Sequence, residues 1–344
     1  MPEAALEVDH GGPIGRGEAG KMRVSGAWGL LFCVLAGAPA LAAPQACGPQ
    51  ALGLARTVEI DTRQAPRFGF QYQDPGLLAD GEVILTFDDG PLRAYTRPIL
   101  EALAAHCTKA TFFVVGRMAV ADPEMVQEYA RQGHTVGTHT WSHANLQAMS
   151  PARARAEVEL GFSAVQAAMG RPIAPFFRFP YLRDTKWASD YLTSRQLAAF
   201  SIDVDSKDYR TRDPSAVHRK VMADLARQKK GIILFHDIHY STARALPGLL
   251  TDLKAKGYKV VHVTPKEDVV TVAEFDGQAQ QELERRRATL AGEPLARRAL
   301  TWPAAKTVPS QPAAIELPTT TPPVRASEKN GNSWTSQVHW WPWR

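Results

Sequence analysis

From residue 82 onward the chain repeats one pattern, a short apolar run followed by a longer amphipathic stretch. The runs are EVILTF (82–87), KATFFVVG (109–116), HTVGTH (134–139), PFFRF (175–179), AAFSIDV (198–204), GIILFH (231–236) and KVVHV (259–263). Their brevity and their β-branched and aromatic content predict buried strands. The stretches between them predict helices over 96–106, 122–133, 150–170, 213–228 and 242–257. The second opens with Asp122 as N-cap and Pro123 in the first turn and stops at Gly133; Ser150, Pro151 and Gly170 frame the third in the same way. Strands alternating with helices at this spacing predict parallel strands joined by crossover helices. Seven of them, with no Gly-rich dinucleotide turn after the first, favour an α/β fold of barrel-like (β/α) type over a doubly wound sheet.

The flanks read differently. Lys21 and Arg23 precede AWGLLFCVLAG, too short to span a bilayer comfortably, and ALA at 40–42 offers small residues for cleavage. This layout predicts export, with a signal peptide at about 22–42, ahead of an uncleaved membrane anchor. The chain accordingly divides into an N-terminal extension and signal peptide (1–43), a lead-in (44–79), a catalytic domain (80–270), an exposed, charged helical segment (271–300) and a Pro-rich tail (301–344) that ends in HWWPWR. Five of the eight tryptophans lie at or beyond Trp302, which gives the tail three candidate contacts: sugar rings, the cell envelope or the domain itself. Cleavage leaves Cys47 and Cys107, which an oxidising compartment allows to pair without requiring it. The net charge of +5 is spread thinly, with no long basic block, so no nucleic-acid partner is expected.

In a (β/α) barrel the chemistry gathers where the strands end. The first predicted strand runs into Asp88-Asp89, and the third into HTWSH with His139 and His143. The fourth gives RFPY with Arg178 and Tyr181, the fifth DVDSKDY with Asp203, Asp205 and Asp208, and the sixth FHDIH with His236, Asp237 and His239. Singly, each has an ordinary explanation, such as a turn for Asp-Asp-Gly-Pro or a satisfied core histidine for His236. Together they point to a cation. Two histidines four apart can share one ion, and a carboxylate makes three protein ligands, the set that leaves a catalytic position open. A cation also accounts for two like charges side by side at the rim, where they would otherwise repel.

TFDDGP (86–91), HTWSH (139–143), RFPY (178–181), DSKDY (205–209) and ILFHD (233–237) together resemble the five ordered motifs of the polysaccharide deacetylases, carbohydrate esterase family 4 or the NodB-homology domain, over roughly residues 80–265. The resemblance implies a deformed (β/α) barrel of about seven parallel strands, one divalent cation (Zn2+ first, Co2+ or Ni2+ as alternatives) and hydrolysis of N-acetyl groups on an acetylated glycan. It implies Asp89, His139 and His143 as metal ligands and Asp88 as general base, kept ionised by Arg178. His236 would be the general acid with Asp205 oriented against it. The Tyr181 N–H would hold the oxyanion, and Leu234, Tyr209 and Pro180 would line the substrate. Tyr209 departs from the family, whose fourth motif usually ends in Trp, and this bears on pocket shape. Two other readings are an amidase acting on a small non-peptide amide and a non-catalytic glycan-binding module. No oligomeric state follows from these residues.

Overall fold

The computed structural model describes residues 47–73 and 76–292. The expected signal peptide and the Trp-rich tail lie outside the described residues. Among the described residues there are ten strands: β1 (Arg56–Ile60), β2 (Arg67–Phe68), β3 (Glu82–Asp88), β4 (Thr111–Val114), β5 (Thr135–Thr138), β6 (Phe176–Phe177), β7 (Ala198–Phe200), β8 (Val204–Asp205), β9 (Gly231–His236) and β10 (Lys259–Pro265). Between and after them come α1 (Arg93–Ala105), α2 (Gly116–Ala121), α3 (Pro123–Arg131), α4 (Pro151–Met169), α5 (Lys186–Ser194), α6 (Pro214–Gln228), α7 (Tyr240–Ala255) and α8 (Ala273–Gly292).

Every strand pairing is parallel. From β3 the ladder runs through β4, β5 and β6 to β7; the chain then crosses three residues into β8, which pairs with β9, and β9 returns to β3. Seven strands thus come back on themselves, with no hydrogen-bonded closure between β7 and β8. The expected run 198–204 is split at that opening, and β2 pairs with β7 there.

The lead-in is part of the sheet. β1 and β2 terminate the path β1-β10-β3-β4-β5-β6-β7-β2, yet only six residues separate them. In a flat sheet, seven strand spacings would put them about 34 Å apart, whereas six residues reach at most about 25 Å. The sheet has to curl.

Period-two alternation sorts the core. Ile84, Phe113, Phe176, Phe200 and Ile232 form the inner cluster, while Val83, Leu85, Phe87 and Phe112 pack outward against the helices. Asp122 caps α3 by accepting from the Met125 amide (3.3 Å), and Gly170 ends α4 in the left-handed region (φ 72°). Ser150 stands at the N-cap of α4 but makes no side-chain cap. Within the expected 271–300 segment, α8 differs from the exposed helix anticipated. Phe275, Ala279 and Leu283, one stripe of α8 at i, i+4 and i+8, are buried.

Candidate active site

The inward face of β3 carries Ile84, then Thr86, then Asp88 at the barrel mouth. Arg178, just after β6, is fully buried beneath them. Its Nη1 donates to Asp88 Oδ1 (2.7 Å) and Thr86 Oγ1 (2.8 Å), Nε donates to the Phe200 carbonyl (3.2 Å) and Nη2 to the Ser201 carbonyl (3.0 Å). The guanidinium lies 4.3 Å from the Phe113 ring centroid. A buried charge satisfied on all these sides is fixed in place, and removing its carboxylate would cost about 3–5 kcal/mol.

The doublet's two carboxyls titrate in opposite directions. Burial pushes Asp88 up to about 6, with Arg178 and His236 pulling against it. Burial would also raise Asp89, but the imidazoles of His143, His236 and His139 hold it below the usual carboxylate range. Neighbouring carboxyls driven apart in this way suit two different tasks.

His139 and His143 meet through a turn rather than a helix, with Thr140 (φ 68°) and His143 (φ 60°) left-handed, as is Asp89 (φ 76°). Non-glycine residues adopt this conformation at a cost, which the surrounding packing sustains. His139 Nδ1 lies 2.7 Å from the Arg178 carbonyl, which can only accept, so Nδ1 carries the proton and Nε2 is free to ligate. Burial, then His143, pushes His139 down to about 3, leaving it neutral. Its Nε2 is 3.7 Å from Asp89 Oδ1, and His143 Nε2 is 3.4 Å from the same oxygen. Two tetrahedral ligands of one zinc stand about 3.3 Å apart. Asp89 Oδ1 is buried and has no hydrogen-bond partner among the described residues, an orphan that a cation would satisfy. Asp89, His139 and His143 therefore fit a divalent ion.

Across the mouth, His236 ends β9. Its Nδ1 lies 2.7 Å from Asp208 Oδ1, and its backbone N–H donates to Asp208 Oδ2 (2.7 Å). Thr242, in the first turn of α7, donates to the same Oδ2. Burial alone would lower His236, but Asp208 carries it to about 10. Asp205 was the carboxylate expected here, and the structure puts Asp208 in its place. Lys207 adopts a left-handed φ of 57° that turns the chain between the two. Asp205 instead accepts from the Lys207 amide (2.9 Å) and the Tyr209 hydroxyl (3.1 Å) and pairs with Lys207 Nζ (3.0 Å).

The remaining expected residues also border the mouth. The half-exposed Tyr181 ring sits 4.6 Å from His143, and Tyr209 lies edge-on 5.5 Å from His236. Leu234 is buried two residues before His236, and the buried Pro180 opens the 3-10 turn that carries Tyr181. Three contributions received no role from the sequence: Asp208 as the partner of His236, Thr86 as an anchor of Arg178, and Asp237, which accepts from Thr96 Oγ1 (2.6 Å) and Tyr129 OH (2.5 Å). A Cβ on Gly90 would fall 2.1 Å from Asp237 Oδ1, so the turn after the doublet rests on that carboxyl. The signal available was the glycine following two aspartates, which marks close approach without saying to what.

The polysaccharide deacetylase family model matches residues 78–199. The chain is 33% identical over 189 residues to a peptidoglycan-N-acetylglucosamine deacetylase of Listeria monocytogenes, covering 55% of this chain and 39% of that protein. It thus spans about two fifths of that relative's length. It is 32% identical to a chitooligosaccharide deacetylase of Bradyrhizobium sp. (strain ANU 289), over 54% of this chain and 89% of the relative. Among solved structures it resembles a peptidoglycan deacetylase of Bdellovibrio bacteriovorus (TM-score 0.56, 33% identity, 62% of this chain and 59% of that one).

Proposed function

This chain belongs to the polysaccharide deacetylase family, and we propose that it hydrolyses N-acetyl groups on a glycan containing N-acetylglucosamine and releases acetate. One observation carries the proposal: a cation-ready Asp89, His139 and His143 set lies at one mouth between an Arg178-held carboxylate and an Asp208-held imidazole. The substrate class rests on relatives whose names specify peptidoglycan and chitooligosaccharide.

Asp89, His139 and His143 would hold a divalent ion, zinc the first choice, which would supply Lewis-acid polarisation of the acetamide carbonyl and lower the pKa of the attacking water. Asp88 then accepts the proton of the attacking water, and Arg178 keeps it oriented and favours its ionised form. His236, held protonated by Asp208, delivers a proton to the nitrogen, because an amine leaves poorly unless protonated. We assign the orienting role to Asp208 on the strength of its contacts. The Tyr181 backbone N–H is proposed as an oxyanion donor. Leu234, Pro180 and Tyr209 are proposed to line the acetyl and sugar side.

We also propose that the protein is exported. The relatives' peptidoglycan substrate and the disulfide between Cys47 and Cys107 (Cα–Cα 5.9 Å) support this reading. No helix among the described residues is long and apolar enough to cross a membrane.

The test measures acetate released from chitooligosaccharides and peptidoglycan by zinc-reconstituted protein. We expect release from at least one, and a fall of about 10²–10⁴-fold in Asp88→Asn with metal still bound. Turnover of a small formylated or cyclic amide without any acetate from glycans would move the assignment to an amidase.

A further inference from the structure

His239 belongs to none of the roles assigned above, although its ring lies 5.5 Å from that of His236. Asp208, His236 and His239 each offer a ligand atom, and these atoms all lie within 4.8 Å of one another, as do those of Asp89, His139 and His143. We propose that Asp208, His236 and His239 form a second, weaker cation site, and that a zinc-like ion bound there switches the enzyme off by occupying the general acid.

The donor chemistry suits a borderline cation, since two imidazoles and one carboxylate make up a common zinc set. Asp208 is buried, and its Oδ2 accepts from Thr242 Oγ1 and from the His236 amide, so the carboxylate is already oriented without the ion. His239 is partly exposed at the N-cap of α7 and makes no side-chain cap, which leaves its ring unclaimed by the helix. The site is therefore open to solvent on one side and anchored on the other.

Two features make it the weaker of the pair. The Asp208–His236 contact is 2.7 Å, and two tetrahedral zinc ligands need about 3.3 Å, so the pair must open by roughly half an ångström. Charge acts in the same direction. Asp88, Asp89 and Asp208 bring three negative charges, and Arg178 and the protonated His236 two positive ones, a net of minus one. The first dication turns this to plus one, and the second arrives against that charge. It also has to displace the proton that His236 shares with Asp208. A rising zinc concentration thus first completes the catalytic site and then removes the acid, and activity passes through a maximum. This last consequence rests on the proposed hydrolytic role, whereas the second binding event does not.

The test titrates metal-free full-length protein with Zn2+ by calorimetry and with Co2+ by visible absorption, alongside acetate release where a substrate is found. Two classes of binding are expected in the wild type, with inhibition following the weaker one. His239→Asn retains a good N-cap residue, so its fold and basal rate should persist while the weak class and the inhibitory branch are lost. His143→Ala should remove the tight class and leave the weak one. A single class in the wild type, or a weak class and inhibition unchanged in His239→Asn, overturns the proposal. Should no glycan be deacetylated, the two metal titrations still decide the second site independently of the enzymatic reading. If His239→Asn proves unstable by melting, His239→Gln replaces it under the same criteria.

Discussion

The pair that sets the chemistry of His236 is decided by a single backbone angle. Asp205 and Asp208 are the same residue type, three apart at the end of one expected strand, so nothing in the sequence ranks them. Lys207 at φ 57° turns Asp208 inward and leaves Asp205 bonded to its own loop. A glycine at 207 would have advertised the turn; a lysine there hides it. The consequence is testable through pH. A raised imidazole pKa keeps the acid form below it and loses that form as pH rises through it, here about 10 before any cation is bound. A dication nearby lowers that limit, and removing the carboxylate lowers it further. Asp208→Asn should therefore move the alkaline limb of kcat/KM to lower pH, while Asp205→Asn leaves the limb in place. The same sign governs stability. The pair's contribution is complete below the unfolded histidine value near 6.5 and is lost as pH climbs through about 10, so Asp208→Asn should flatten the dependence of the melting temperature on pH across that window. Equal profiles for the two variants would return the orienting role to neither aspartate.

At the scale of elements, runs and periodic segments were legible, whereas the bounds of short strands and the shortest elements were not. β3, β9 and β10 each run six or seven residues and announce themselves as apolar runs, and α4 and α6 carry their proline openings in the sequence. β2, β6 and β8 are two residues long: β6 and the start of β8 fall inside expected runs, whereas β2 shows no local pattern and owes its identity to register against β7. The six-residue α2 is too short to show a helical period. Glycines in helices illustrate the same division between pattern and packing. Gly161 of α4 lies against the turn that carries His139 and His143; a Cβ there would meet the Thr140 carbonyl carbon at 2.7 Å, and the Trp141 amide donates to the Glu157 carbonyl beside it. Gly248 of α7 faces open space. Helix propensity alone predicts that alanine stabilises both by about 0.5–1 kcal/mol. Gly248→Ala should do so. Gly161→Ala should instead lower the melting temperature and weaken metal binding, because the backbone it meets holds two ligands. Matching gains at both positions would mean that α4 does not buttress the turn.

For the whole molecule, the same cavity that concentrates catalytic charge is a liability until a cation arrives. Asp88, Asp89, Asp208 and Arg178 are all buried, and the disulfide and the woven-in lead-in help the fold to hold them there. Burial raises Asp88 to about 6, so its stabilising effect belongs to low pH and is lost as the solution rises from about 4 through that value; near neutrality the folded protein carries an ionised carboxylate it would rather keep neutral. Asp89 Oδ1, which faces the His139 and His143 nitrogens at 3.7 and 3.4 Å without accepting a hydrogen bond, is also incompletely compensated. A cation that binds only the folded form relieves both, and at a hundredfold excess over its Kd it adds about 2.7 kcal/mol, or roughly 5–10 °C for a domain of this size. Removing the metal with a chelator should therefore lower the melting temperature by that order at pH 7.5, and the difference should shrink at pH 5, where Asp88 is protonated and the histidine ligands compete with protons for the ion. His143→Ala should abolish the metal-dependent increment while melting close to the chelated wild type. An increment of the same size in that variant would mean that the stabilising ion sits somewhere other than between Asp89, His139 and His143.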